Sequence, residues 1–139
     1  MFKIFVVDDD VDILIVLKRI LASNLFNVYL LSDAKDFSEK VSEFQPHLVL
    51  MDVNLSGYDG RVLCREFKQG KGKDIPVILF SANVNFKDDY AAYGAEAFIE
   101  KPFDIHQLTS TIKKYLHASN ALQSKSSNSV NASVADRIF

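Results

Sequence analysis

Two unbroken apolar runs, Leu48–Met51 and Val77–Phe80, do most to limit what this chain can fold into. A strand without polar alternation is covered on both faces, the situation of a parallel sheet wrapped by helices. Phe2–Val7, Asn27–Leu31 and Ala97–Ile99 read as three further strands, the first two rich in β-branched and aromatic residues. Helical spacing fills the intervals. Asp10 reads as an N-cap, after which Val11, Leu14, Leu17 and Leu21 recur on one face. A second helix is expected from about Ala34 to Phe44, ended by Pro46, and a third from Gly60 to Lys68. A weaker fourth spans Asn85 to Tyr93 and stops at Gly94, a good left-handed cap residue. Ile105, Leu108, Ile112 and Leu116 mark a last helix. Five β-α units imply a parallel sheet with right-handed crossovers.

At 139 residues the chain has room for one conventional core. We expect a domain over residues 1–117 and a polar, disordered tail over residues 118–139, where serine and asparagine predominate without periodicity. The net charge of −2 disfavours a nucleic-acid surface. No apolar run approaches the roughly 18 residues of a membrane span, and three aspartates follow the first run at once, which is not a signal peptide. The lone Cys64 excludes an internal disulfide and fits a reducing cytoplasm, so a cytoplasmic location is expected.

The chemistry concentrates at the strand ends. Asp8-Asp9-Asp10, Asp52, Ser81 and Lys101-Pro102 each follow an apolar run, so in a parallel sheet they meet at its carboxyl edge, where such sheets hold ligands. Helix capping accounts for Asp10 alone. Carboxylates about 4 Å apart repel by roughly 4 kcal/mol at an effective dielectric near 20, so the remaining acids invite a cation. Magnesium takes oxygen ligands and needs few carboxylates. Asp52 can act as a nucleophile that forms an aspartyl phosphate. Ser81 can hydrogen-bond to a phosphoryl oxygen and Lys101 can neutralise another, which suffices where positioning and charge do the catalysis.

Other motifs fail. Asp8, Asp10 and Asp12 open a calcium-loop pattern, but Ile13 and Arg19 stand where glycine and glutamate are required. His47, His106 and His117 lack zinc spacing. Gly70-Lys71-Gly72-Lys73 is followed by Asp74 rather than the Ser or Thr of a phosphate-binding loop.

The strings VVDDDVDIL, HLVLMDVNLSGYDG, IPVILFSA and GAEAFIEKPF together resemble the receiver domain of two-component response regulators, from about Phe2 to Leu116. The resemblance implies a flavodoxin-like, doubly wound five-stranded sheet in order 2-1-3-4-5, with helices on both faces. It implies Asp52 as phosphoacceptor and a magnesium ion held by Asp8, Asp9, Asp52 and the backbone carbonyl of Asn54. Ser81 and Phe98 would be the switch pair, Lys101 the conserved-type ammonium, and Pro102 would follow a cis bond. The implied donor is a histidine kinase or histidine phosphotransfer protein. The implied output is protein contact through the face of the fourth helix, fifth strand and fifth helix, with neither nucleic acid nor membrane as partner. Three positions depart from the family pattern. Ser56 stands where proline is usual, suggesting a more mobile loop; Phe98 lacks a tyrosine hydroxyl; His47 replaces an aspartate. Two rivals remain at this level. One is a haloacid-dehalogenase-like phosphatase with Asp8 as nucleophile and Asp10 as acid/base, although Asp12 breaks its motif. The other is a receiver-like scaffold that is never phosphorylated.

Overall fold

The computed structural model describes residues 1–119. In chain order the elements are β1 (Lys3–Val7), α1 (Val11–Ser23), β2 (Asn27–Leu31), α2 (Phe37–Phe44), β3 (Leu48–Asp52), β4 (Asn54–Leu55), β5 (Tyr58–Asp59), α3 (Gly60–Lys68), β6 (Val77–Ser81), β7 (Ala97–Glu100) and α4, helical over residues 105–119. Five strands form one parallel sheet in the order β2-β1-β3-β6-β7. With the short β4-β5 hairpin set aside, this is the flavodoxin-like order 2-1-3-4-5.

Every residue of β3 and β6 is buried, which is why their sequences lack alternation. The twofold period of a strand still divides the core. Ile4, Val6, Leu50 and Ile78 pack towards α1 and α4, against Leu14, Leu17, Leu108 and Ile112. Phe5, Val7, Val49 and Leu79 pack on the other face against Phe37 and Val41 of α2 and Cys64 and Phe67 of α3. Burial pushes the Cys64 thiol up to about 12, so this cysteine is core and not a nucleophile.

Local chemistry sets the boundaries. Asp10 caps α1 by accepting from the N–H groups of Asp12 and Ile13. Asp104 does the same for α4 through His106 and Gln107. Gln45 ends α2 in the left-handed region, its N–H bonded to the Val41 carbonyl, and the following Pro46 disfavours continuation of the helix. Gly60 begins α3 where any Cβ would collide with the Asp52 carbonyl, so only glycine lets α3 start this close to the end of β3.

Several expectations need correction. The helix expected over Asn85–Tyr93 is two 3₁₀ turns, Val84–Phe86 and Tyr90–Tyr93, the second ended by Gly94 at φ 87°. Asn85, Asp88 and Asp89 are weak helix formers, and the Asn83 side chain caps a single turn instead of a full helix. The face attributed to a fourth helix is therefore built on these turns. The first turn of the second helix, Ala34–Asp36, is likewise 3₁₀. The β4-β5 hairpin is new, since two-residue strands leave no periodicity to read. The last helix passes residue 117, the expected domain limit, to reach 119; the rest of the expected tail lies outside the described residues.

Candidate functional site

The parallel register brings four strand ends together. β1 ends at Val7, so Asp8 and Asp9 begin the loop above it; β3 ends on Asp52, β6 on Ser81, and Lys101 follows β7. Asp8 and Ser81 are fully buried and Asp52 is 5% exposed. Burying carboxylates is costly unless they are paired and hydrogen-bonded. Here Lys101 Nζ lies 2.9 Å from Asp8 Oδ2 and 3.1 Å from Asp52 Oδ2. The other Asp8 oxygen accepts the Asp10 N–H at 2.9 Å, and Asp52 Oδ1 accepts the Asn54 N–H at 3.2 Å. Lys101 also lies 4.8 Å from the Phe80 ring centroid, and its peptide bond to Pro102 is cis.

One ammonium does not balance this cluster. Burial and the adjacent Asp8 push the Asp52 carboxyl up from 3.8 to about 6, against the pull of Lys101 and the Asn54 N–H. Burial alone would lower the Lys101 ammonium, yet its bonds to Asp8 and Asp52 hold it above its ordinary value. Oxygen atoms of Asp8, Asp9 and Asp52 lie within 4.8 Å of one another, a donor set suited to a hard cation. The residues present thus fit a magnesium ion. Asp9 is the most available ligand, because it is exposed and no described residue donates to its Oδ1, whereas Asp8 and Asp52 each have both oxygens bonded and Asp8 is fully buried.

Ser81 Oγ accepts from Asn54 Nδ2 at 3.2 Å and from the Asn83 N–H at 3.0 Å. Phe98 is half-buried in β7, opposite Leu79, and borders an open groove of about 510 Å³ with Lys87, Asp88, Tyr90, Glu100 and Gln107. The structure therefore brings Asp8, Asp9, Asp52, Asn54, Ser81 and Lys101 into one crevice and leaves Phe98 beside the groove. Asp12 and the three histidines contribute no atom to the hydrogen bonds of this crevice.

The sequence offered no pattern for two residues near the site. Ser56, noted only as a departure from the family pattern, donates from both its N–H and its hydroxyl to Asp9 Oδ2. Arg61, at the start of α3, pairs with Asp59 at 2.9 Å and with Asp89 at 3.1 Å. Its guanidinium also lies 4.3 Å from the Phe86 ring centroid and 5.1 Å from that of Tyr93, while Arg65 covers Tyr93 at 4.3 Å. Arg61 thus clasps the 3₁₀ segment to α3. Arg61→Ala is expected to cost this segment about 1–2 kcal/mol, the sum of partly exposed ion-pair and cation–π contacts. Amide exchange over residues 84–93 should then accelerate about 5- to 30-fold. Unchanged protection by hydrogen-exchange mass spectrometry would show that Arg61 is not the clasp.

Known proteins share this architecture. The family model described as Response regulator receiver domain matches residues 4–113. NtrX from Brucella abortus is 30% identical with a TM-score of 0.82; the similarity covers 90% of this chain and 29% of the NtrX chain. The signal receiver domain of a signal transduction histidine kinase from Syntrophus aciditrophicus is 27% identical, TM-score 0.77, covering 85% of this chain and 92% of that one. A CheY-like response regulator receiver domain protein from Methanospirillum hungatei JF-1 is 25% identical, TM-score 0.80, covering 87% and 98%.

Proposed function

We propose, from the premise that this chain belongs to the response regulator receiver domain family, that Asp52 accepts a phosphoryl group and that the charge gained there changes a protein-binding surface. The observation supporting this reading is a carboxylate at the end of a central strand, 5% exposed, with an ammonium 3.1 Å away and two further acids beside it. The donor is a phosphohistidine of a histidine kinase or histidine phosphotransfer protein, the partner class that the family implies. Its N–P bond breaks as an O–P bond forms at Asp52, and the imidazole keeps the electron pair. Asp9, Asp52 and the Asn54 carbonyl would hold magnesium, with Asp8 supporting them; when bound, the ion would supply positive charge to offset that of the phosphoryl group.

The protein's own groups do the rest. Lys101 already contacts Asp52 and keeps its charge, so it remains to pair the added phosphate in a poorly hydrated crevice. Ser81 exchanges its bonds with Asn54 and Asn83 for one to a phosphoryl oxygen. Phe98 then moves towards the space near Ser81 and alters the groove between the 3₁₀ turns, β7 and α4. This groove is the surface for a downstream protein. Phosphate loss by hydrolysis at Asp52 resets the switch, so the domain promotes only its own phosphorylation and dephosphorylation.

The phosphatase reading gains no support from the geometry. Asp8 is fully buried, and Asp10 is spent on capping α1. Incubation with magnesium and acetyl phosphate should add one phosphate to the intact mass of the protein, and Asp52→Asn should accept none. Labelling that survives Asp52→Asn and disappears in Asp8→Asn would replace this proposal with the phosphatase.

A further inference from the structure

Ser56 sits in the turn between β4 and β5, followed by Gly57 at φ 75°. Among the described non-glycine residues only Leu25 and Gln45 have positive φ, so Ser56 and Gly57 match the two central positions of a type II turn. From that position Ser56 reaches back 47 residues to Asp9. Its N–H donates to Asp9 Oδ2 at 3.1 Å and its hydroxyl donates to the same oxygen at 2.7 Å. Asp9 is exposed, so little packing restrains its side chain. No described residue donates to its Oδ1. One oxygen is thus doubly bonded within the protein and the other is left to a cation.

We propose that Ser56 is a positioning residue for divalent-cation binding. It holds one oxygen of Asp9 and reserves the other as ligand, and it fastens the hairpin containing Asn54 to the end of β1. The inference rests on the magnesium reading above and adds to it a residue that touches neither the ion nor the phosphoryl group. Without Ser56 the exposed carboxylate must be ordered at the moment of binding, which costs affinity. The opposite effect, two donors drawing charge from Asp9 and weakening it as a ligand, predicts tighter binding when Ser56 is removed. The two cases differ in sign.

Magnesium chloride is titrated into the full chain, without phosphodonor, and binding is followed by amide chemical shifts and calorimetry. Ser56→Thr retains both donors and should bind within about twofold of wild type; Ser56→Pro loses both and should weaken binding about tenfold or more, the lower end of the range for loss of groups that orient a metal ligand, and Ser56→Ala, which keeps the N–H donor, should weaken it less, about threefold. Proline is favoured at the first central position of this turn, so Ser56→Pro removes both donors without breaking the hairpin. Equal thermal midpoints of the variants in metal-free buffer would separate positioning from general stability. Should Ser56→Pro unfold, Ser56→Ala decides alone. Unchanged or tighter binding in Ser56→Ala with normal wild-type binding overturns this inference only. Absence of magnesium binding by wild type overturns the metal reading and this inference together.

Discussion

Asp52→Asn is expected to stabilise the magnesium-free protein at neutral pH while it abolishes phosphoryl acceptance. The reason is the crowding that suits the site to a cation. Asp52 has its carboxyl raised from 3.8 to about 6 by burial and by Asp8. Below 3.8 the group is protonated in folded and unfolded chains alike and carries no penalty. As pH rises from 3.8 to about 6 the unfolded chain loses this proton first, so stability falls across that window. Above it the full penalty, on the order of 3 kcal/mol for a shift of this size, remains. Asparagine removes the charge, and Lys101 keeps Asp8 as its partner, so we expect a net gain of about 1–3 kcal/mol, at most the whole of that penalty. Urea unfolding without divalent ions, run on both sides of the window, measures it. The gain should be large at neutral pH, small near the lower limit, and reduced by magnesium, which stabilises the wild type by binding the folded state. A variant less stable than wild type at neutral pH would mean that the lost ion pair outweighs the relieved repulsion.

Lys101→Ala should act in the opposite direction and more strongly. The Lys101 side chain is 15% exposed and holds two carboxylates, one of them fully buried. Its removal leaves Asp8 and Asp52 facing each other without compensation, and breaking a buried pair from one side costs about 3–5 kcal/mol. That is a large share of a domain's stability, typically about 5–15 kcal/mol. Adding Asp52→Asn to Lys101→Ala should recover much of the loss, because one of the two unpaired charges is gone. The coupling from a double-mutant cycle isolates this interaction. Additive effects would mean that Lys101 and Asp52 do not interact across the crevice. Where magnesium supports folding of the single variant, phosphorylated Lys101→Ala should bind the downstream partner no better than its unphosphorylated form.

The sheet and the ends of its strands were legible in the sequence because burial on both faces is a local property. Leu48–Met51 and Val77–Phe80 need every residue apolar, whatever the rest of the chain does, and the next residues are Asp52 and Ser81. The Asp10 cap was legible for the same reason, since its bonds reach only two and three residues ahead. The convergence of the strand ends at one edge of the sheet was legible as well, but only the tertiary structure decided which atoms pair there. Lys101 spans 93 positions to Asp8, Ser56 spans 47 to Asp9, and neither pairing leaves a periodicity or a cap in the intervening chain. The 3₁₀ form of the segment before β7 belongs with them. Weak local propensity left its conformation open, and Arg61, reaching from α3 to Phe86, Asp89 and Tyr93, holds the form it takes.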